Sequence, residues 1–205
     1  MPKHKLAAIL LAAGCSSRLG RAKQLVIHHG ETLVRRSARL LLELQLDVVV
    51  VTGCESTAVV ESLEGLPLTV VHNPEWEQGM GTSIACGAKH IAPASEGVLV
   101  MPIDLWRLGI KDLLAIIESW EADISSVCAT SWFEDKTLNY GPPSIFPCDL
   151  IHELQCMHGI KGAKVLIDKE RQRLELIHRP NAAWDLDSPA DLQQLLSQNE
   201  RCPSN

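Results

Sequence analysis

The chain has 205 residues, 46% of them apolar and 21% charged, with a formal net charge of -6. That length suits one domain with a good-sized core. An acidic body of ordinary globular composition lacks the basic face that salt-driven nucleic-acid binding requires, so any phosphate site must be a local basic spot. No apolar stretch is long enough to span a bilayer, which excludes a membrane partner of that kind.

The start, "MPKHKLAAILLAAG", is basic and then apolar. Its apolar run is short and leads straight into a loop, so it reads as a buried first strand (6–12) and not as a secretory leader. "TLVRRSARLLLEL" (32–44) follows with helical spacing, Leu33, Ser37, Leu40, Leu41 and Leu44 falling near one face. "DVVVVT" (47–52) is β-branched and reads as a strand buried on both sides. "STAVVESLEG" then predicts a helix, "LTVVHN" a strand, "TSIACGAKHIA" a helix and "GVLVMPID" a strand that ends in a loop at Asp104. "IKDLLAIIESW" is helical and "DISSVCA" a strand.

The stretch 129–147, rich in aromatic residues and proline, breaks the rhythm. It is expected to cover a sheet edge or close over a pocket, with a short strand at "SIFP". Helices near 148–157 and 161–169, a strand "RLELIHR" and a closing helix after "DSPADLQQLL" complete the chain. Ser188 is placed to cap that helix, with Pro189 at its first position and Asp191 three residues after the cap. Alternating strands and helices predict a single Rossmann-like three-layer α/β/α domain with a mostly parallel central sheet. The domain is expected over 1–198, with a frayed tail over 199–205.

Seven cysteines, an odd number without CxxC spacing, predict reduced thiols in a cytoplasmic protein. Cys15 is expected to be a small space-filling residue. The eight histidines are scattered, and neither HExxH nor GxSxG occurs.

The loop "GCSSRLGRAK" (14–23) leaves the first strand at the edge where open α/β sheets bind ligands. Gly14 and Gly20 permit positive φ and close backbone approach. The loop amides, with Ser16 and Ser17, can donate to phosphate oxygens. Arg18 adds a bidentate fork and Lys23 a compact charge. The loop therefore reads as a phosphate cradle, although neither the GxGxxG dinucleotide fingerprint nor the P-loop pattern fits it.

Leu11, Ala12, Ala13, Gly14, Ser16, Ser17, Arg18, Gly20, Lys23 and Leu25 together resemble the signature LAAGxSxRMGxxKxLL, with Leu19 where methionine is usual. The chain is thereby similar to the MobA-like nucleotidyltransferases, in particular the molybdopterin cytidylyltransferases. "NPEWEQGMGTSIACG" (73–87), "VMPIDLW" (100–106), "GIKGAKVLI" (159–167) and "WDLDSPADL" (184–192) extend the likeness over nearly the whole length.

The resemblance implies magnesium-dependent transfer of CMP from CTP to molybdopterin with release of pyrophosphate. Arg18 and Lys23 would be the catalytic cations. Asp104 and Asp187, or Asp185 in place of the latter, would hold Mg2+. Leu11, Ala12, Ala13, Gly14, Ser16, Ser17, Gly79, Gly81 and Ser83 would bind the nucleotide. Relatives that transfer guanylyl groups tend to read LAGG, so the methyl group of Ala13 favours CTP over GTP.

Three positions depart from the pattern. Trp106 stands where proline is common, Pro142 where histidine is common, and Ile160 where an acidic residue is common. The last two lie on the acceptor side. Guanylyl transfer, a sugar or alditol phosphate acceptor, and a weakly catalytic protein that delivers cofactor to a client molybdoenzyme therefore stay open.

Overall fold

The computed structural model describes residues 3–16 and 18–201. Its strands are β1 (Leu6–Ala12), β2 (Ile27–His28), β3 (Glu31–Thr32), β4 (Asp47–Thr52), β5 (Thr69–His72), β6 (Gly97–Pro102), β7 (Val127–Glu134), β8 (Thr137–Pro147) and β9 (Leu174–His178). Its helices are α1 (Leu33–Glu43), α2 (Ser56–Ser62), α3 (Met80–Ala88), α4 (Ile110–Ala122), α5 (Ile151–Gln155), α6 (Lys164–Lys169) and α7 (Pro189–Arg201).

Seven strands form one sheet in the order β5-β4-β1-β6-β8-β7-β9, and β2 pairs with β3 in a separate hairpin. Every pairing in the large sheet is parallel except those of β8, which runs antiparallel to both β6 and β7. The expected mostly parallel sheet is thus observed.

The strand β1 shows why the sheet is central. All seven of its residues are buried. Ala8, Leu10 and Ala12 point into the core under α1, α2 and α4. Ala7, Ile9 and Leu11 point into the opposite core, under α3, α5 and α6. Side chains alternate across a strand, so an unbroken apolar run can satisfy only a sheet covered on both faces. Gly87 lets α3 approach closely: a Cβ there would stand 2.6 Å from Ile9 Cγ2 and 2.9 Å from Val51 Cγ2.

The face predicted for α1 is buried at Leu33, Ser37, Leu40, Leu41 and Leu44. Thr32 caps the helix by accepting from the Arg35 amide. At α7 the capping box also forms: the Asp191 amide donates to Ser188 Oγ (3.3 Å), and the Ser188 amide donates to Asp191 Oδ2 (2.7 Å).

Two expectations need correction. The stretch 129–147 does not cover an edge; it is most of a β7–β8 hairpin that builds the sheet itself, with β8 directly against β6. Prolines hid this strand, and a strand interior tolerates proline only where no ladder donor is needed. The helix α7 continues to Arg201, into the segment expected to fray. Residues 202–205 of that tail lie outside the described residues. Among the described residues, no helix is long and apolar enough to cross a membrane.

Candidate active site

Three segments leave the carboxyl edge of the sheet side by side. The loop after β1 carries Arg18 and Lys23, the turn after β6 carries Asp104, and the extended segment before α7 carries Asp185 and Asp187. Backbone hydrogen bonds fix their mutual positions. The Ile103 amide donates to Leu11 O (3.3 Å), and the Leu186 amide donates to Asp104 O (3.1 Å).

On this frame the four residues singled out for catalysis and metal binding meet. Lys23 Nζ donates to Asp104 Oδ2 at 2.5 Å and to Asp187 Oδ1 at 3.0 Å. Arg18 Nη2 donates to the other oxygen of Asp187 at 2.7 Å. Burial alone would lower the Lys23 pKa, but the two carboxylates outweigh it and raise it above the ordinary 10.5. The ammonium is therefore locked in its charged form near neutral pH. Asp185 lies on the same segment, and its carboxyl is partly enclosed although the residue as a whole is exposed. That enclosure, with the like charges of Asp104 and Asp187, pushes its pKa up.

Asp104 Oδ1 is buried and has no hydrogen-bond partner among the described residues. A hard divalent cation takes one or two carboxylates and completes its shell with phosphate oxygens and water. An orphaned carboxylate oxygen beside a second carboxylate fits that need. Among the described residues, no group of three or more His, Cys, Asp or Glu side chains could hold a metal ion alone.

The loop is held from beneath by a residue that sequence reading passed over. Gln24 is 1% exposed, and its amide nitrogen donates to Ala12 O (2.8 Å) and Gly14 O (2.6 Å). The signal was available, since a glutamine follows the signature lysine inside an otherwise apolar "LVI" approach. The Ser16 hydroxyl accepts from the Lys23 amide at 3.3 Å and ties the loop's two ends. Positive φ occurs at Gly20 (71°) and Ser16 (52°), not at Gly14, where glycine leaves open space instead. Ser17 lies outside the described residues.

The cysteine expectation is overturned here. Cys15 and Cys54 are joined by a disulfide, with their Cα atoms 5.2 Å apart and a sequence separation of 39. Cys15 is therefore a tie and not a space filler. It links the phosphate loop to the turn after β4, where the Cys54 amide also donates to Ala13 O (3.0 Å). Only the folded chain brings these loops together.

Ala12 and Ala13 are buried at the start of the loop, and Leu11 lies just before them in β1. Gly53 adjoins them: a Cβ there would lie 2.6 Å from Trp76 Cγ and 2.8 Å from Ala13 O. Trp76 and the signature alanines therefore share one wall.

The glycine-rich turn that opens α3 is closely packed. Gly79 has φ of 122°, and a Cβ there would strike the backbone of Gly159 and Ile160. The Gly81 amide donates to Gly159 O at 2.9 Å. Ser83 is 4% exposed and accepts from Asn73 Nδ2 at 3.0 Å. Gly79 and Gly81 thus pack the turn onto the 158–160 loop, while Ser83 is tied to Asn73.

A family model described as the MobA-like NTP transferase domain matches residues 8–175. The chain belongs to that family. It is 29% identical over 194 residues to the nicotine blue oxidoreductase of Paenarthrobacter nicotinovorans, covering 92% of this chain and 95% of that one. Over 160 residues it is 29% identical to a probable molybdenum cofactor guanylyltransferase of Rhodopirellula baltica, covering 76% of this chain and 72% of the relative. Over 105 residues it is 28% identical to the molybdenum cofactor cytidylyltransferase of Escherichia coli, covering 48% and 55%.

Among solved structures, a protein from Mycobacterium sp. strain JC1 aligns with a TM-score of 0.79 at 22% identity, covering 96% of this chain and 98% of that one. That likeness establishes the fold. Family membership makes the chain a nucleotidyltransferase of the MobA-like type.

Proposed function

We propose that the chain transfers CMP from CTP to molybdopterin and releases pyrophosphate. The observation that carries this reading is the convergence of Arg18, Lys23, Asp104 and Asp187, with Asp104 Oδ1 left unpartnered among the described residues. In nucleotidyl transfer, negative charge accumulates on the phosphates as pyrophosphate leaves. Catalysis is then mainly positioning and electrostatic stabilisation.

Arg18 is the more exposed cation and suits the β and γ phosphates as a fork. Lys23 is the more buried and, held between two acids, suits the α-phosphate. Asp104 and Asp187 would hold magnesium, with Asp185 close enough to assist. When bound, the ion supplies neutralising charge to the triphosphate. The loop from Gly14 through Ser17 would bind the phosphates. Leu11, Ala12 and Ala13 would border the base, and the turn at Gly79, Gly81 and Ser83 would support the base and ribose from behind. A phosphate monoester acceptor is largely ionised near neutrality, its second pKa being about 6, so no strong base is required.

The choice of CTP rests on the Ala13 methyl group, which narrows the space for a purine. Support comes from the similarity to a cytidylyltransferase, and the similarity to a guanylyltransferase makes GTP the direct competitor. Thermal shifts with CTP, GTP, ATP and UTP, each with magnesium, test the nucleotide, because a ligand that binds the native state raises its apparent stability. A largest shift with CTP is expected. Ala13→Gly should move the CTP:GTP ratio in kcat/KM toward GTP, and an unchanged ratio removes the steric account.

A second reading, oxidoreduction on the same scaffold, is favoured by one observation, the similarity to an oxidoreductase over almost the full length of both chains. Pyrophosphate release that requires CTP, magnesium and acceptor together separates the two. It also excludes a purely delivering role toward a client molybdoenzyme.

A further inference from the structure

Behind the Asp104 turn lies a second basic cleft that the transfer reaction does not use. It has a volume of about 340 Å³ and is lined by His28, His29, Arg36, Trp106 and Arg107, with Asn181 and Gln198 at its margin. We propose that this cleft binds a small phosphorylated ligand through the phosphate group.

The first argument is charge. Two guanidiniums line the cleft, and no described carboxylate does. Neither arginine forms an ion pair among the described residues. The nearest acids are engaged elsewhere. Glu31 pairs with Arg39 at 2.9 Å, while Asp112 accepts from the Gly109 amide and from Asn181 Nδ2, both at 3.0 Å. An underpaired cation held out of water is costly, and a bound anion removes that cost. Burial, only partly offset by Glu31, accordingly pushes the Arg36 pKa down.

The second argument is the supply of donors. Trp106 is 1% exposed, and among the described residues its buried indole Nε1 has no partner; neither does the buried Arg107 Nε. Buried donors in native proteins are almost always satisfied, and here two of them without a described partner sit on neighbouring residues that line one cleft. Arg107 is pre-oriented, its guanidinium lying 3.5 Å from the Trp184 ring centroid and 4.8 Å from that of Trp106. Arg36 is pinned too, donating to Leu108 O at 2.7 Å. Two fixed forks and a separate indole donor spread over more directions than one flat carboxylate can fill. A tetrahedral phosphate, with three terminal oxygens, matches them.

The third argument is position. Trp106, which departs from the family pattern, builds this cleft. Its amide donates to Asp104 O at 2.8 Å, and its ring meets His28 edge-on at 5.7 Å. The tryptophan that stands where proline is common thus belongs to a separate feature on the same turn.

The test uses the full chain and follows the Trp106 indole N–H by two-dimensional NMR, assigned with Trp106→Phe, during titration with inorganic phosphate. A saturable shift is expected in the wild type and in Arg18→Ala, in which the catalytic loop is disabled. In Arg107→Gln the affinity should fall by about tenfold or more. Arg107→Lys keeps the charge but loses the fork, and should weaken binding as well if the glutamine variant does not fold. Absence of the shift, its loss in Arg18→Ala, or an equal shift with acetate at matched ionic strength would each overturn the proposal.

Discussion

The loop end of the sheet and the exposed edge of the molecule where β8 meets α6 both carry networks of opposite charges, yet they differ in what those networks do. At the loop end, Lys23 is largely shielded and bridges two carboxylates from segments 81 and 164 residues away in sequence. At the edge, Tyr140 donates to Asp168 at 2.5 Å, and Arg171 approaches the same carboxylate at 3.5 Å with its side chain 70% exposed. Charges separated from water interact strongly, while exposed pairs are screened and worth little. Similar residue types are therefore arranged for the proposed chemistry in one place and for surface solvation in the other.

The sharpest way to break this contrast is Lys23→Ala. Its expected outcome is a loss of kcat on the order of 100-fold or more, as for removal of one preorganised transition-state donor. The KM for CTP should change far less, and steady-state kinetics read both. An unchanged kcat removes Lys23 from the transition state.

Next in size is Gly81→Ala, where α3 packs against the 158–160 loop. The added Cβ would lie 2.6 Å from His158 O and 2.7 Å from His158 C, and backbone cannot step aside as a side-chain tip can. Overpacking of this kind costs about 1–3 kcal/mol, read as a lower urea midpoint.

A smaller effect is expected from Asp191→Ala, which removes the third residue of the α7 capping box and about 0.5–1 kcal/mol of stability. Partial burial opposes ionisation of Asp191, but hydrogen bonds from Ser188 and the Asp187 amide prevail and hold its pKa below the ordinary 3.8. A lowered carboxyl pKa stabilises the fold above the unfolded value and loses that stabilisation as pH falls through the folded value. The wild-type advantage should therefore be constant above about pH 4 and shrink below it in pH-dependent unfolding.

The smallest effect is predicted for Arg171→Ala. Its Tm should stay within about 1 °C of the wild type, because the pair it breaks is exposed. A large drop would mean that the edge network is more than surface solvation.

Much of this was legible in the chain. The strands β1, β4 and β6 were read from apolar runs, since burial on both faces leaves no other pattern. The α7 cap was read from Ser188, Pro189 and Asp191, because capping is chemistry among neighbours. The cluster of Arg18, Lys23, Asp104 and Asp187 was anticipated through the family resemblance, and the structure brings those four together. By contrast, β8 was hidden because its prolines argue against a strand wherever the neighbouring strand's demands are unknown. The partner of Ser83, Asn73, is ten residues away and became visible only across the turn.

By itself, then, the amino-acid order determined which segments are strands, which are helices, and which loop is rich in donors and cations. Those properties depend on residues a few positions apart, where periodicity and backbone preference act. Only tertiary structure decided that Cys15 meets Cys54, that Gln24 braces the signature loop, and that Arg36, Trp106 and Arg107 line a common cleft. Each of these depends on where distant segments pack, and burial and charge pairing are properties of that packing.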